Sequence, residues 1–125
     1  MANEVTVSAS LKFVKNGITR LRESGSLQFD VAGTNSLEHV QSIPTAGAAI
    51  TLGGITVGGY CFMKNLDATN FIEVAFSTTT SDASEHVIKL IPGDIALFRI
   101  HPEMTAPFAQ SDTASCDLLV MMVDL

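Results

Sequence analysis

Three histidines, two cysteines and thirteen carboxylates are the groups in this chain that could carry chemistry, and their spacing decides which kind. His39, His86 and His101 lie far apart, with no His-x-His pair, whereas a catalytic metal needs several ligands converging on one point. Cys61 sits between Tyr60 and Phe62 in an apolar run, an environment that disfavours the thiolate, and Cys116 lies in another. With no Cys-x-x-Cys pair, both read as buried free thiols, and a disulfide between them stays open. No Gly-x-Ser-x-Gly elbow marks a nucleophile. Gly53-Gly54 and Gly58-Gly59 flank a short strand and do not open a helix ahead of a lysine, so no phosphate cradle is expected. The acids are scattered, and one Tyr with no Trp gives a sugar little to stack on. The expectation is a protein without catalytic, metal or cofactor sites.

Composition points to partners. Hydrophobic residues make up 46% of the 125 and charged ones 16%, against roughly a quarter charged in an ordinary domain. Apolar surface to be covered by another protein would account for that balance. The net charge of −6 leaves too few cations for a duplex-DNA stripe, so no direct nucleic-acid partner is expected. Four of the seven cations, Lys12, Lys15, Arg20 and Arg22, nevertheless fall in one short stretch. They read either as a solvated strand pair or as a docking patch for an acidic surface, with Arg20 and Arg22 as candidate interface residues. Pro102 to Phe108 reads as a loop whose Met104 and Phe108 either anchor a partner or fold back over the end of the domain. Residues 1–4 read as a free arm or as an addition to a neighbour's sheet edge. Residues 1–10 lack the pattern of a signal peptide, and no apolar run approaches the roughly 20 residues of a membrane span, so a cytoplasmic, membrane-free protein is expected.

The elements that must position these residues are strands. Val5, Val7, Ala9, Leu11 and Phe13 alternate with polar residues, as do Leu27, Phe29 and Val31, a period of two that predicts one inward face. Ile72, Val74 and Phe76 repeat the pattern around Glu73 and Ala75. Leu118, Val120 and Met122 share one face of a last strand whose other face carries Leu119 and Met121, so that strand should be central or packed on a neighbouring subunit. Ser36 to Ser42 fits a helical turn or a strand. Asn16-Gly17, Ser24-Gly25, Gly33-Thr34-Asn35, Pro44 to Gly47 and Pro92-Gly93-Asp94 supply turns, and Ser77 to Glu85 reads as an exposed loop. The short segments between turns leave no room for a crossover helix. About eight to ten strands in one domain over residues 1–125 predict an all-β fold, a jelly-roll-like antiparallel sandwich, with an immunoglobulin-like sandwich second.

From about Gln41 onward the chain carries a pattern whose first part is Gly59-Tyr60-Cys61-Phe62-Met63-Lys64-Asn65-Leu66-Asp67-Ala68-Thr69-Asn70-Phe71-Ile72-Glu73-Val74, and it resembles small virion structural proteins of tailed bacteriophages. It continues in Lys89-Leu90 with Pro92-Gly93-Asp94 and Ala96 to Arg99, and in Ala109-Gln110 and Thr113-Ala114 before a closing strand ending in Asp-Leu. The first forty residues share nothing with it. Physically the motif reads as structural: Asn65-Leu66-Asp67 and Thr69-Asn70 can make side-chain to backbone bonds in a tight hairpin whose strands are Tyr60 to Met63 and Phe71 to Phe76. The resemblance implies a capsid decoration, or cement, protein on the exterior of the virion. It would assemble in the host cytoplasm, bind the major capsid protein and act as a homodimer or homotrimer. The alternatives are a tail or fibre-associated receptor-binding module and a cupin-like enzyme.

Overall fold

The computed structural model describes residues 4–76, 86–104 and 107–124. The expected loop Ser77 to Glu85 and the first three residues of the expected arm lie outside them. Twelve strands and no helix occur among the described residues, so no helix is long and apolar enough to cross a membrane. Every strand pairing is antiparallel. The chain divides into two compact units, Met1–Ala32 and Gly33–Leu125, at a point where the sequence shows no linker.

The first unit holds four of the strands, which brings the described total to twelve against the eight to ten expected. β1 (Val5–Val7) pairs with β4 (Leu27–Phe29), and β2 (Ser10–Lys15) pairs with β3 (Ile18–Glu23). Asn16-Gly17 closes the β2–β3 hairpin, with positive φ at both residues (53° and 76°). That is the primed two-residue turn whose twist matches the strands, and only residues such as Asn and Gly take it cheaply. Ser24 ties the hairpin's base: the Ala9 N–H donates to Ser24 Oγ, and the Ser24 N–H to the Ala9 carbonyl, each at 2.9 Å. The alternation from Val5 to Phe13 does not build the single inward-facing strand expected from it. It breaks after Val7, and all twelve residues of β2 and β3 are exposed. No third strand covers the hairpin inside its own unit, so the period of two is real while the burial it implied is absent.

The second unit is an eight-stranded sandwich. Its strands are β5 (Ser36–Ile43), β6 (Ala48–Ala49), β7 (Gly58–Asn65), β8 (Ile72–Ala75), β9 (His86–Leu90), β10 (Ile95–Arg99), β11 (Phe108–Ser111) and β12 (Cys116–Asp124). One sheet runs β5-β12-β7-β10 and the other β6-β11-β8-β9. Counting only these eight, the orders are first-eighth-third-sixth and second-seventh-fourth-fifth, the double Greek key of a jelly roll. The fold class read from the sequence is therefore the observed one, and Ser36 to Ser42 is strand. Met63, Leu118, Val120 and Met122 from one sheet meet Ile72, Val74, Leu90 and Ala109 from the other in a single core. Removing one such fully buried Met or Leu side chain costs about 2–5 kcal/mol. Gly33 opens the unit where a Cβ would collide with the Asp124 side chain, and the Asn35 N–H donates to Asp124 Oδ2 (2.9 Å) to hold that end.

The expected hairpin between Tyr60–Met63 and Phe71–Phe76 does not form. β7 pairs with β10 and β12, β8 pairs with β9 and β11, and the intervening motif is a corner carrying the chain from one sheet to the other. Its side-chain bonds are nonetheless those the sequence suggested. Asn65, fully buried, donates through Nδ2 to the Asn70 and Leu90 carbonyls and accepts the Asp67 N–H at Oδ1, each at 2.9 Å. Asp67 Oδ2 accepts the N–H groups of Thr69 and Asn70. The turn Pro92-Gly93-Asp94 is a second corner, from β9 to β10, and it meets the first: the Asn65 N–H donates to the Asp94 carbonyl and the Gly93 N–H to the Asn65 carbonyl, both at 3.0 Å. Thr113 Oγ1 donates to Asn70 Oδ1 (2.9 Å). Asn65 to Asn70, Gly93-Asp94 and Thr113 thus meet at one end of the sandwich, where their bonds fix these two crossings between sheets.

Candidate interaction surfaces

In the hairpin of the first unit, pairing assigns each side chain to a face. Leu11 lies opposite Arg22, Phe13 opposite Arg20, and Lys15 opposite Ile18. Directly paired residues share a side of the ladder. One face therefore presents three apolar and three cationic side chains with no acid, while the reverse face carries Lys12, Val14, Leu21 and Glu23 among small polar residues. Leu11 is 76% exposed and Phe13 50%. The first unit has four cations against three acids, net +1, and the second three against ten, net −7. Arg20 and Arg22, picked from the sequence as interface candidates, thus stand side by side on an exposed apolar ladder. Their neighbours Leu11 and Phe13 could have been found too, because the two-residue Asn16-Gly17 turn sets the register outright.

The second unit has two outer faces of unlike character. On the β6-β11-β8-β9 sheet, Lys89, Glu73 and Gln110 form a polar row. Glu73 Oε2 lies 3.0 Å from His86 Nδ1, and Lys89 Nζ lies 4.1 Å from the centre of the Phe71 ring. On the β5-β12-β7-β10 sheet the outward rows are apolar. Val40, Leu119, Lys64 and Ile95 lie across it in register, and Glu38, Met121, Phe62 and Leu97 form the next row. Val123 and Tyr60 extend it, with the Arg99 guanidinium 4.7 Å from the Tyr60 ring centre. Val40 is 53% exposed, Ile95 54% and Met121 42%. An antiparallel sheet facing water normally turns polar residues outward. β12 is central, as its two apolar faces required, and it remains apolar on the side away from the core.

Met104 packs against the core and, with Phe76, Phe98, Ile100, Arg99 and His101, lines an open cavity of about 220 Å³. The Phe76 and Phe98 rings meet edge to face at 5.5 Å. Phe108 is a half-buried residue of β11 whose ring lies where a side chain on Gly47 would have to go. Met104 thus packs on the core of its own sandwich, while Phe108 lies on the outward parity of β11 beside Gly47; both belong to the second unit, and Arg20 and Arg22 to the first.

No group of three or more His, Cys, Asp or Glu side chains suited to a metal occurs among the described residues. Cys61 and Cys116 are buried free thiols. Burial pushes the Cys61 thiol up to about 12. Burial first, then the charges of Asp67, Asp112 and Asp117, raises that of Cys116. His101 Nδ1 accepts the Glu103 N–H within its own turn. No known protein family, curated protein or solved structure matches the chain.

Proposed function

We propose that this chain is a decoration protein of a tailed-phage head: it binds the outer surface of the major capsid protein shell and stabilises the head without catalysis. What supports the link to phage particles is the resemblance of the chain from Gln41 onward to small virion proteins. A jelly roll by itself carries many functions and decides none. The observation that carries the binding role is the β2–β3 hairpin, all of it exposed, with Leu11, Phe13 and Ile18 interleaved with Lys15, Arg20 and Arg22 on one face.

A two-stranded hairpin is marginal in water on its own. A partner that covers this face supplies the burial the first unit lacks. The chemistry such a partner needs is an apolar strip edged with carboxylates, since the face has cations and no acid. Each contact is modest, and several copies or several contacts per assembly add through effective concentration. The shell then resists the outward pressure of its packaged genome by being clamped across subunit boundaries.

Sedimentation of the purified chain with heads that lack it tests this reading. The wild type is expected to co-sediment to saturation, to bind less as salt rises, and to lose binding in Phe13→Glu and in the double variant Arg20→Glu, Arg22→Glu. Absence of saturable binding, or binding indifferent to all three substitutions, overturns it.

A further inference from the structure

We propose that two copies of this chain pair face to face through the outer surface of the β5-β12-β7-β10 sheet, about a two-fold axis running along the strands between β12 and β7. This surface is separate from the hairpin, and the inference does not rest on shell binding.

Charge selects the occupant. The second unit carries −7, so bringing two of them together through most of its surface sets acid against acid. This face is the exception. Its outward charges are Glu38 and Asp117 against Lys64 and Arg99, net zero, set among eight apolar side chains. The two acids lie on β5 and β12 and the two bases on β7 and β10, so the face is acidic along one lateral half and basic along the other. A two-fold axis along the strands is the operation that lays each half on its opposite. It sets β5 of one copy over β10 of the other and β12 over β7.

Register supplies the contacts. Met121 and Phe62 share a row, so each Met121 meets the Phe62 ring of the other copy, a favourable thioether–aromatic pair at the centre of the patch. Glu38 lies in that row and Arg99 one row further along, within reach of each other across the pair. Four strands about 4.8 Å apart and about seven residues long give a flat footprint of roughly 450 Å² per copy. Two copies then bury roughly 900 Å² together, below the roughly 1,200–2,000 Å² of stable complexes, so the pair is weak and transient, with a dissociation constant on the order of 100 μM.

Sedimentation equilibrium of the isolated full chain from about 1 to about 200 μM is the test. The wild type is expected to show a monomer–dimer equilibrium. Met121→Glu should raise the dissociation constant about thirtyfold or more, and Val87→Glu, on the other sheet and 69% exposed, should leave it unchanged. Glu38→Arg and Arg99→Glu should each weaken the pair alone, while a mixture of the two single variants recovers it as a heterodimer. Unchanged circular dichroism establishes that each variant is folded; should Met121→Glu not fold, the mixing experiment decides. A wild type monomeric throughout, an oligomer indifferent to these substitutions, or single variants that do not recover on mixing overturns the proposal. Because no shell is present, failure here leaves hairpin-mediated shell binding standing, and failure of shell binding leaves the dimer standing.

Discussion

Replacing Asn65 by alanine should destabilise the sandwich far more than its position at the end of a strand suggests. The side chain is fully buried and makes three bonds to backbone: two donated, to the Asn70 and Leu90 carbonyls, and one accepted from the Asp67 N–H. The Leu90 carbonyl lies inside and would be left unsatisfied, a cost of about 1–3 kcal/mol. Asn70 and Asp67 lie nearer solvent, where water replaces part of each bond, so each loses about 0.5–1.5 kcal/mol. The sum, about 2–6 kcal/mol and centred near 4, is a large share of the roughly 5–15 kcal/mol that holds a domain folded. The one tyrosine, Tyr60, lies in β7 and reports on this unit by fluorescence. Urea unfolding followed by Tyr60 should show the midpoint fall by about 2 M for a slope near 2 kcal/mol/M. A variant within about 1 kcal/mol of wild type would refute the reasoning that the motif's first task is to weld the two sheets at this corner.

Cys61 should resist thiol reagents at pH 8 in the folded protein and react freely in urea. Its folded value near 12 lies above the ordinary 9.0, so the fold holds the proton longer than the unfolded chain does. Stability is therefore intact below about pH 9 and falls as pH rises toward 12, a loss that Cys61→Ala should lessen in alkaline urea melts. Asp67 behaves in the opposite sense. The Asn70 and Thr69 N–H groups hold its carboxylate below the usual 3.8, so its contribution is present above that pH and fades as pH falls through the lower folded value. The stability gap between wild type and Asp67→Asn should accordingly narrow in acid. Gly33→Ala should unsettle the start of β5, because a Cβ there meets Asp124, and it should lower the melting temperature more than Gly54→Ala, where φ is ordinary and the nearest atom lies 3.9 Å away.

How much was legible in the sequence depended on whether neighbours along the chain settle the question. Within the sandwich, β8 and β12 follow from alternation at Ile72 to Phe76 and Leu118 to Met122, and the second, apolar on both parities, fits a central strand or one packed on a neighbouring subunit, of which the structure shows the first. The same signal, apolar residues at both parities in Tyr60 to Lys64 and Ile95 to Arg99, is what marks the outer face of that sheet. It could not be joined into one patch without the register that sets Ile95 beside Lys64 and Lys64 beside Leu119. The corner at Asn65 was read as a hairpin because side-chain bonds to nearby backbone look the same whether the strands then pair or part. Leu11 and Phe13 were expected inside because alternation reports two faces and does not say which, if either, is covered. The division at Ala32–Gly33 shows in the sequence only as a change of charge, from net +1 to −7, since the first unit is built from the same β-rich alternation as the second.

The claim on which the account turns is that this chain works in bulk on a protein shell. Quantitative mass spectrometry of purified particles of the phage that encodes it addresses this directly. The account predicts on the order of hundreds of copies per particle, in fixed proportion to the major capsid protein, as a symmetric shell requires. A handful of copies would instead place the chain on the tail or a fibre, and its absence from the particle would contradict the account outright.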